Sequence, residues 1–414
     1  MVFPLASELP PMARFLLEDF RLAANEAIRA GLAGKVTSRN GIAKLAYKAL
    51  REEHPNMYAQ HLVSSFEVAA SVLKNYRRRL RRGGVAKVPF VRRLMMKAEN
   101  QAYKLDRTEG VIDLPIKAGC HVELKLVVSQ YHRKYLDDNA LSLGSLTVFP
   151  DRVVVAFRKE APRQNDASCI VALDTNESSL DGIVVHADRR RTRVMGVRAL
   201  FPDAAAIQQC HARRRKRLQR KKAHDRRMSR LLCRREGKRE HDRVVYRMHQ
   251  VANAVVEFAE GMNSAIILED LRGMKPTRSR DLNRRLSLWP RRKLHQCIEY
   301  KAAWKGIPVV KVDPAYSSRK CPICGRIQGS RMGARDKEFR CECGWHLDRH
   351  INASINLLQT AISEGLEVAG GLRFDPGAFQ HDAMMTLYEP AMAARSEPNG
   401  MSEATEATQN VTTR

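Results

Sequence analysis

The N-terminal part of the chain carries apolar residues at helical spacing. They recur every three or four positions over residues 13–33, 42–50 and 58–80, which predicts three amphipathic helices. The third segment ends in a run of arginines followed by Gly83 and Gly84, and a glycine pair stops a helix. Its basic end could bind phosphates, although a charged run on a helix is commonly only a solvated face.

The middle of the chain changes to short apolar segments. Runs at 122–128, 145–149 and 152–157 alternate or run apolar between Asp, Gly and Pro, which predicts a small antiparallel barrel or sandwich. A polar linker at 161–166 then marks a domain boundary near residue 165.

A third pattern, after this linker, mixes strands with helices. Apolar runs at 169–174, 182–186 and 193–197 predict a three-stranded meander. The segments that follow are two basic helices split near Gly237, a strand at 265–269, a helix at 291–304 and a strand at 307–312. The chain is therefore predicted to be an α+β multidomain protein whose last large domain is of the α/β type.

The composition adds a large positive charge. The 73 Lys and Arg residues exceed the 45 Asp and Glu residues, which leaves a net charge of +28 over 414 residues. A polyanion neutralises such a surplus most easily, so nucleic acid is the expected partner, and basic residues that only solvate the surface are the alternative. No run of about 18 apolar residues and no signal peptide is seen, so we expect a soluble intracellular protein with no membrane partner.

Four of the nine cysteines form a metal-binding pattern. Cys321 and Cys324 make one close pair, Cys341 and Cys343 make a second, and a glycine follows each pair. Four thiolates from two such turns can surround one Zn²⁺ tetrahedrally, and a full shell leaves no open position for catalysis. The pattern predicts one structural zinc ion, with unmetallated or redox-active cysteines as the alternatives.

Three acidic residues occupy ends of predicted elements. Asp174 and Glu269 each end a buried strand, and Asp348 opens the last helix. In a sheet of this order the two strand ends can face the start of the helix. Three converging carboxylates repel one another unless divalent cations lie between them, and two Mg²⁺ ions about 3.5–4 Å apart are the usual solution for phosphodiester cleavage. Taken singly, these acids could also be a turn residue, a surface acid and an N-cap.

Four segments together resemble the TnpB family of transposon-encoded RNA-guided nucleases and the related compact type V CRISPR effectors. Residues 170–177 (IVALDTNE) and 266–274 (IILEDLRGM) are similar to the first two RuvC motifs of that family. Residues 282–325 resemble its bridging helix, strand and zinc entry, and 341–358 (CECGWHLDRHINASINLL) resemble its third motif. The resemblance covers roughly residues 165–360.

The resemblance implies a ribonuclease H-like (RuvC) α/β domain with an inserted zinc ribbon, preceded by a wedge-type β-barrel that carries an inserted helical recognition module. The expected domains are a mainly helical recognition module at 1–105, a wedge-type β-barrel at 106–165, a RuvC-like nuclease domain at 166–315 and 345–375, a Cys₄ zinc insert at 316–344, and a largely disordered C-terminal tail at 376–414.

The implied activity is RNA-guided, Mg²⁺-dependent DNA cleavage. Asp174, Glu269 and Asp348 are the expected catalytic residues and Mg²⁺ ligands, beside the structural zinc. Many family members carry Asp at the position of His350, and Asp348 is the only acid near it, so Asp348 takes that role here. His350 could itself be a metal ligand, a proton carrier or a structural residue. The alternatives are a nuclease-deficient RNA-guided DNA-binding protein and a guide-free transposition accessory protein.

The implied partners are a guide RNA and target DNA, with sequence read by base pairing and a short flanking motif read by the protein. Two copies of a chain this compact could share one guide RNA. The family's prokaryotic occurrence implies a cytoplasmic protein that is nucleoid-associated when bound to DNA. The residues expected to contact phosphates are Arg77, Arg78, Arg79, Arg81, Arg82, Arg213, Arg214, Arg215, Lys216, Arg217, Arg220, Lys221 and Lys222.

Overall fold

The computed structural model describes residues 1–160, 162–163, 167–187, 192–273, 283, 290–329, 337–365 and 374–390. Most of the predicted linker and residues 391–414 of the predicted tail lie outside this part of the chain. The chain forms two compact units, Met1–Glu160 and Ala161–Arg414. Within the described residues, no helix combines the length and the apolar character needed to cross a membrane.

The first unit combines four helices with two antiparallel sheets. Its helices are α1 (Pro11–Ala33), α2 (Arg39–Glu53), α3 (Ala59–Arg81) and α4 (Gln130–Leu136). Its strands are β1 (Val2–Pro4), β2 (Met96–Ala98), β3 (Lys104–Asp106), β4 (Val111–Lys117), β5 (Cys120–Lys125), β6 (Ser142–Val148) and β7 (Arg152–Arg158). The strand orders are β1-β7-β6-β2 and β3-β4-β5.

The three long helices of this unit are inserted between strands of one sheet. β1 pairs with β7 through Phe3 and Val153, and β2 pairs with β6 after the three long helices have intervened. Phe3, Phe20 and Val153 belong to the same buried core. The predicted boundary at residue 105 stays a prediction. The sequence pattern does not reveal β1 or β2, because a strand of three residues shows too little alternation to be recognised without its distant partner.

The second unit is built on a six-stranded sheet of order β12-β11-β8-β9-β10-β15. Its strands are β8 (Cys169–Thr175), β9 (Ser179–Ala187), β10 (Thr192–Leu200), β11 (Ser264–Glu269), β12 (Val309–Val312), β13 (Glu338–Arg340), β14 (His346–Asp348) and β15 (Phe379–Tyr388). Its helices are α5 (Asp203–Lys221), α6 (Arg226–Gly261), α7 (Arg291–Trp304) and α8 (Arg349–Ser363). β13 and β14 form a separate antiparallel pair.

Alternation along β8 gives the large sheet two apolar faces. Val171 and Leu173 share a buried cluster with residues of α6 and α7. Ile170 and Ala172 belong to a second cluster that contains residues of α8. Successive strand residues point to opposite faces, so each residue of β8 can be assigned to the α6–α7 side or to the α8 side.

One prediction for the second unit is corrected by this arrangement, and one strand is added to it. The basic helices separate at residues 222–225, where the Asp225 side chain accepts the backbone N–H of Met228 at 2.9 Å as the N-cap of α6. Gly237 lies inside α6, since one helical glycine costs only about 1 kcal/mol. Residues 379–388, which the sequence pattern does not predict as a strand, form β15, which pairs in parallel with β10. A segment of this kind gains stability only when it docks on a sheet edge, which the local pattern does not reveal.

Candidate active site

Asp174 and Glu269 lie side by side at the ends of two neighbouring parallel strands. The register pairs Leu173 of β8 with Leu268 of β11, so the acids occupy the next position on each strand. Asp174 lies two residues after Ala172, and Glu269 lies two residues after Ile267. Because alternate strand residues share a face, both acids lie on the face of the sheet that packs against α8. Both residues are buried, with exposed fractions of 9% and 7%. The structure thus brings together the two strand-end acids that the sequence singled out.

Burial and neighbouring negative charges destabilise the charged forms of both carboxylates. Burial raises the pKa of Asp174 above its usual value, and the neighbouring charge of Asp181 adds to the rise. Burial, followed by the charge of Asp174, raises the pKa of Glu269 to about 8. The backbone N–H of Thr175 donates to Oε1 of Glu269 at 3.1 Å and orients that carboxylate. A divalent cation would relieve this repulsion, so the donor set fits a metal ion.

Asp348, the third predicted acid, ends β14 and caps α8. Its Oδ1 accepts the backbone N–H groups of His350 at 2.8 Å and Ile351 at 3.3 Å. Its Oδ2 lies 3.6 Å from the guanidinium of Arg198. The N-cap role that the sequence left open for Asp348 is confirmed, whereas its role as a metal ligand stays a prediction.

His350 is the residue of α8 that contacts Asp174. Its Nδ1 lies 3.0 Å from Oδ2 of Asp174. Burial alone would lower the pKa of His350, but the hydrogen bond and charge of Asp174 raise it above its usual value. The position at which many members of the resembled family carry Asp therefore faces the strand-end acids, and in this chain it presents an imidazole.

A row of charged residues that sequence reasoning missed continues across the sheet. Asp181 on β9 lies opposite Asp174, and Arg198 on β10 lies opposite Asp181. Asp181 is 1% exposed, accepts a hydrogen bond from Asn176 at 2.8 Å, and forms an ion pair with Arg198. Opposed strand residues share a face, but only the register of β9 against its neighbours could have revealed this row.

A second missed contact links β8 to α7. The hydroxyl oxygen of Thr175 lies 2.7 Å from Nε2 of His295, which is 3% exposed. Burial lowers the pKa of His295 to about 4, so the ring is neutral at neutral pH. This contact holds the residue that follows Asp174 against α7.

The four cysteines come together as the sequence predicts. Sγ of Cys321 lies 3.6 Å from that of Cys343, and Sγ of Cys324 lies 3.6 Å from that of Cys341. All four sulfur atoms lie within 4.8 Å of one another. A zinc tetrahedron with Zn–S bonds of about 2.3 Å has edges of about 3.8 Å, so the set fits one zinc ion. It is the only such cluster of three or more His, Cys, Asp or Glu residues in the described part of the chain.

The backbone of the two turns prepares this cysteine site. Gly325 and Gly344, one after each cysteine pair, adopt φ angles of 73° and 91°, which favour glycine. Burial raises the pKa of the Cys321 thiol to about 12, whereas the backbone N–H of Arg326 lowers that of Cys324 to about 7. A bound cation would deprotonate all four thiols.

Three amide side chains on one stripe of α8 hold the first cysteine turn. Asn352 donates to the carbonyl of Lys320 at 3.0 Å, and Asn356 donates to the same carbonyl at 2.8 Å. Asn356 also reaches the carbonyl of Ser317 at 2.7 Å, and Gln359 reaches that of Pro322 at 2.9 Å. The spacing i, i+4, i+7 is a sequence signal for one helical face, and these contacts connect the zinc insert to the helix that carries His350.

The predicted phosphate-binding residues divide into exposed and engaged groups. In the helix α5, Arg214 lies 3.6 Å from Glu236 of α6, and Arg215 forms an ion pair with Glu240. In α3, Arg77 donates to the carbonyl of Lys35. The remaining predicted residues are exposed, namely Arg78, Arg79, Arg81, Arg82, Arg213, Lys216, Arg217, Arg220, Lys221 and Lys222. Three of the thirteen predicted residues therefore have structural partners.

Two family descriptions match parts of this chain. The Cas12f1-like TNB domain matches residues 292–357, which include α7, the four cysteines and His350. The uncharacterized protein MJ0013 family matches residues 16–112 of the first unit.

Relatives and a solved structure agree with the first of these matches. The TnpB-like protein MJ0751 of Methanocaldococcus jannaschii is 26% identical over 257 residues, covering 59% of this chain and 88% of the relative. The CRISPR-associated endodeoxyribonuclease Cas12f1 of Sulfoacidibacillus thermotolerans is 36% identical over 113 residues, 26% of this chain and 25% of that protein. The cryo-EM structure of a Cas12f1-sgRNA-target DNA complex has the same fold at 15% identity, with a TM-score of 0.54 over 83% of this chain and 81% of that chain. With the acids, the cysteines and the sheet order described above, these matches support the resemblance of the chain to TnpB proteins and compact type V CRISPR effectors.

Proposed function

We propose that this protein is an RNA-guided DNA endonuclease that cleaves phosphodiesters at a RuvC-like site containing Asp174 and Glu269. The observation that carries the proposal is the pair of buried carboxylates at adjacent strand ends, facing the helix that follows the zinc insert. Related proteins are described as a TnpB-like protein and as an endodeoxyribonuclease. In this proposal the second unit is a ribonuclease H-like domain with a zinc ribbon, and the first unit combines recognition helices with a wedge-type barrel.

The proposed site uses Mg²⁺ held by Asp174 and Glu269. Two such ions supply activation of water and stabilisation of the leaving oxygen when they are bound. The chain's own residues orient the ligands, because the Thr175 N–H fixes Glu269 and His350 fixes Asp174. The third ligand is Asp348 or His350, and substitution of each separates the two assignments.

Each unit carries a proposed nucleic-acid surface, formed by the exposed basic residues of α3 in the first unit and by those of the segment from α5 to the start of α6 in the second. Arg217, Arg220, Lys221 and Lys222 are exposed there, and Arg226 continues the same charge. Clustered arginines and lysines bind phosphates without reading sequence, which suits a guide RNA that reads the target by base pairing. Whether two copies share one guide RNA stays a prediction.

The guide is tested by expressing the full chain with its native flanking DNA and sequencing the RNA that copurifies in moderate salt. One discrete species with a structured scaffold and a defined variable end is the expected result. A mixture of cellular RNAs would contradict RNA guidance and favour a guide-free transposition accessory protein.

Cleavage is then tested with that RNA and a matched DNA target in Mg²⁺. Replacement of Asp174 or Glu269 by Ala should abolish cutting while RNA binding remains. The matched control is Asp270→Asn, because Asp270 is the residue after Glu269 and its carboxylate contacts Arg272. Retained cutting by D174A or E269A would overturn the assignment.

A nuclease-deficient RNA-guided DNA-binding protein is the second candidate. It is favoured by the imidazole of His350 that lies 3.0 Å from Asp174, and by Asp348 being engaged in the helix cap. This candidate predicts guide-dependent DNA binding without cleavage in any divalent cation. His350→Asp should then restore cutting, whereas wild-type cutting would exclude this candidate.

A further inference from the structure

The imidazole of His350 is held in place before any ligand arrives. It stands in the first turn of α8, where the Asp348 cap fixes its backbone N–H at 2.8 Å. Its side chain is 33% exposed, whereas that of Asp174 is 12% exposed. An ion entering from solvent can therefore reach the pair through the imidazole side.

The spacing of the His350–Asp174 pair matches the edge of a metal coordination shell. Nδ1 of His350 and Oδ2 of Asp174 are 3.0 Å apart. Adjacent ligands of an octahedral ion with bonds of about 2.1 Å are about 3 Å apart. A divalent cation can thus fit against both atoms in place of the shared proton once the imidazole turns its Nδ1 lone pair from Oδ2 toward the ion.

The chemistry of this donor pair differs from that of two carboxylates. Mg²⁺ is a hard ion that dehydrates reluctantly and keeps oxygen ligands, whereas divalent first-row transition ions accept imidazole nitrogen. Mn²⁺ is the first-row ion that also suits carboxylate and water ligands. An imidazole in place of a carboxylate also removes one negative charge, which weakens the attraction for a small hard cation most.

We propose that His350 is a nitrogen ligand of the divalent ion at Asp174 and that it shifts the preference of this site from Mg²⁺ toward Mn²⁺. The inference rests on the proposed function only in requiring a divalent ion beside Asp174 and Glu269. In this inference His350 is a metal ligand, and Mn²⁺ is the ion that the site prefers.

The test uses Mn²⁺ as the probe, on the full-length zinc-loaded chain without RNA or DNA. Pulsed electron paramagnetic resonance of bound Mn²⁺ detects a directly coordinated ¹⁴N, which we expect in the wild type and not in His350→Asp. The matched control is His346→Asn, because His346 lies on β14, four residues before His350, and contacts Glu338. H346N should keep the nitrogen signal.

A competition titration gives a second measurement of the same inference. The Mg²⁺ concentration that displaces half of the Mn²⁺ should be at least about tenfold higher for the wild type than for H350D. Zinc content and the thermal midpoint establish that H350D is folded, and loss of Mn²⁺ binding in Glu269→Gln places the ion at the acidic site.

Three results would overturn the inference: Mn²⁺ bound at that site without ¹⁴N coupling, no Mn²⁺ binding that depends on Glu269, or an unchanged Mn²⁺ to Mg²⁺ ratio in H350D. The first would leave His350 as a residue that only orients Asp174. Failure of the proposed function gives a different result, since a protein that never cuts DNA can still show the nitrogen signal.

Discussion

The zinc insert and the carboxylate site differ in how their ligands are brought together. The four cysteines come from two short turns, and their sulfur atoms lie within 4.8 Å of one another. Asp174, Glu269 and His350 come from two strands and a helix that are distant in sequence. Among the described residues, these acids and His350 do not form a comparably tight cluster.

The difference shows which kind of site can be identified from local spacing. A cysteine pair and its glycine define a turn by themselves, so the ligands of the zinc site follow from adjacent residues. The ligands of the acidic site depend on strand register and on the entry of α8. Asp348 and His350 are only two residues apart, and the local sequence favours Asp348 as the third ligand because it is the acid. The structure shows that His350 is the one in contact with Asp174.

The largest expected effect is loss of the zinc site in Cys324→Ser. A closed Cys₄ shell contributes about 10–16 kcal/mol of metal-binding free energy, so the insert should lose both its zinc and its folded structure. Zinc content should fall from about one per chain to near zero. Cys210→Ser is the matched control, since Cys210 lies on α5, is exposed, and is outside the cluster. Full zinc retention in C324S would show that the site does not need all four thiolates.

The next effect is the pH dependence of the free energy of unfolding that Glu269 causes. Glu269 has a folded pKa of about 8 against an ordinary value of 4.5, so between these values the folded protein binds a proton that the unfolded chain releases. Without added divalent ions, stability should fall as pH rises from about 4.5 to about 8, by a few kcal/mol in all. Glu269→Gln should reduce this fall, leaving the contributions of Asp174 and His350, whose pKa values are also raised, and it should be the more stable protein at pH 8.5.

Denaturant unfolding from about pH 4 to pH 9 with zinc retained measures this effect. Asp270→Asn is the control, because the hydrogen bonds of Arg272 lower the pKa of Asp270 to about 2, so its titration lies below this window. Added Mn²⁺ or Mg²⁺ should stabilise the wild type at high pH but not E269Q. A wild type whose stability is flat across this range would contradict the raised pKa of Glu269.

A smaller effect tests the link between the two sites. Asn356→Ala removes the amide that donates to the carbonyls of Ser317 and Lys320. Loss of a buried hydrogen-bond partner costs about 1–3 kcal/mol, and zinc should be lost to a chelator faster than from the wild type. Ser363→Ala on the same helix is the control, because its hydroxyl contacts only the exposed end of α8. Equal rates of zinc release from N356A and from the wild type would show that the contacts of α8 do not stabilise the zinc insert.

The smallest expected effect is that of Asp348→Asn. Asn caps helices as well as Asp does, and the partly exposed ion pair with Arg198 at 3.6 Å is worth about 0–1 kcal/mol. Stability should therefore change by less than about 1 kcal/mol. If His350 is the third ligand, guided cleavage by D348N should stay within a few-fold of the wild type. Loss of cleavage as complete as in D174A would instead identify Asp348 as the third metal ligand.

Most element types could be predicted because they depend on local periodicity. The helix over residues 291–304 and the strands that end in Asp174 and Glu269 lie where the apolar pattern places them, to within a residue or two. The misses share one cause. β1 and β15 are stabilised by distant partners, and the break between α5 and α6 depends on the Asp225 cap, which outweighs a lone glycine within a helix.

The sequence by itself determined the cluster of four cysteines, the two strand-end acids and the basic character of α5, because turns and periodicity are properties of neighbouring residues. Only the tertiary structure decided that His350 contacts Asp174, that Asp181 and Arg198 extend the charged row, and that some arginines are occupied by internal partners. These features depend on strand register and on the packing of α8 against the sheet. Both are set by contacts between residues far apart in the chain, so a short stretch of sequence does not reveal them.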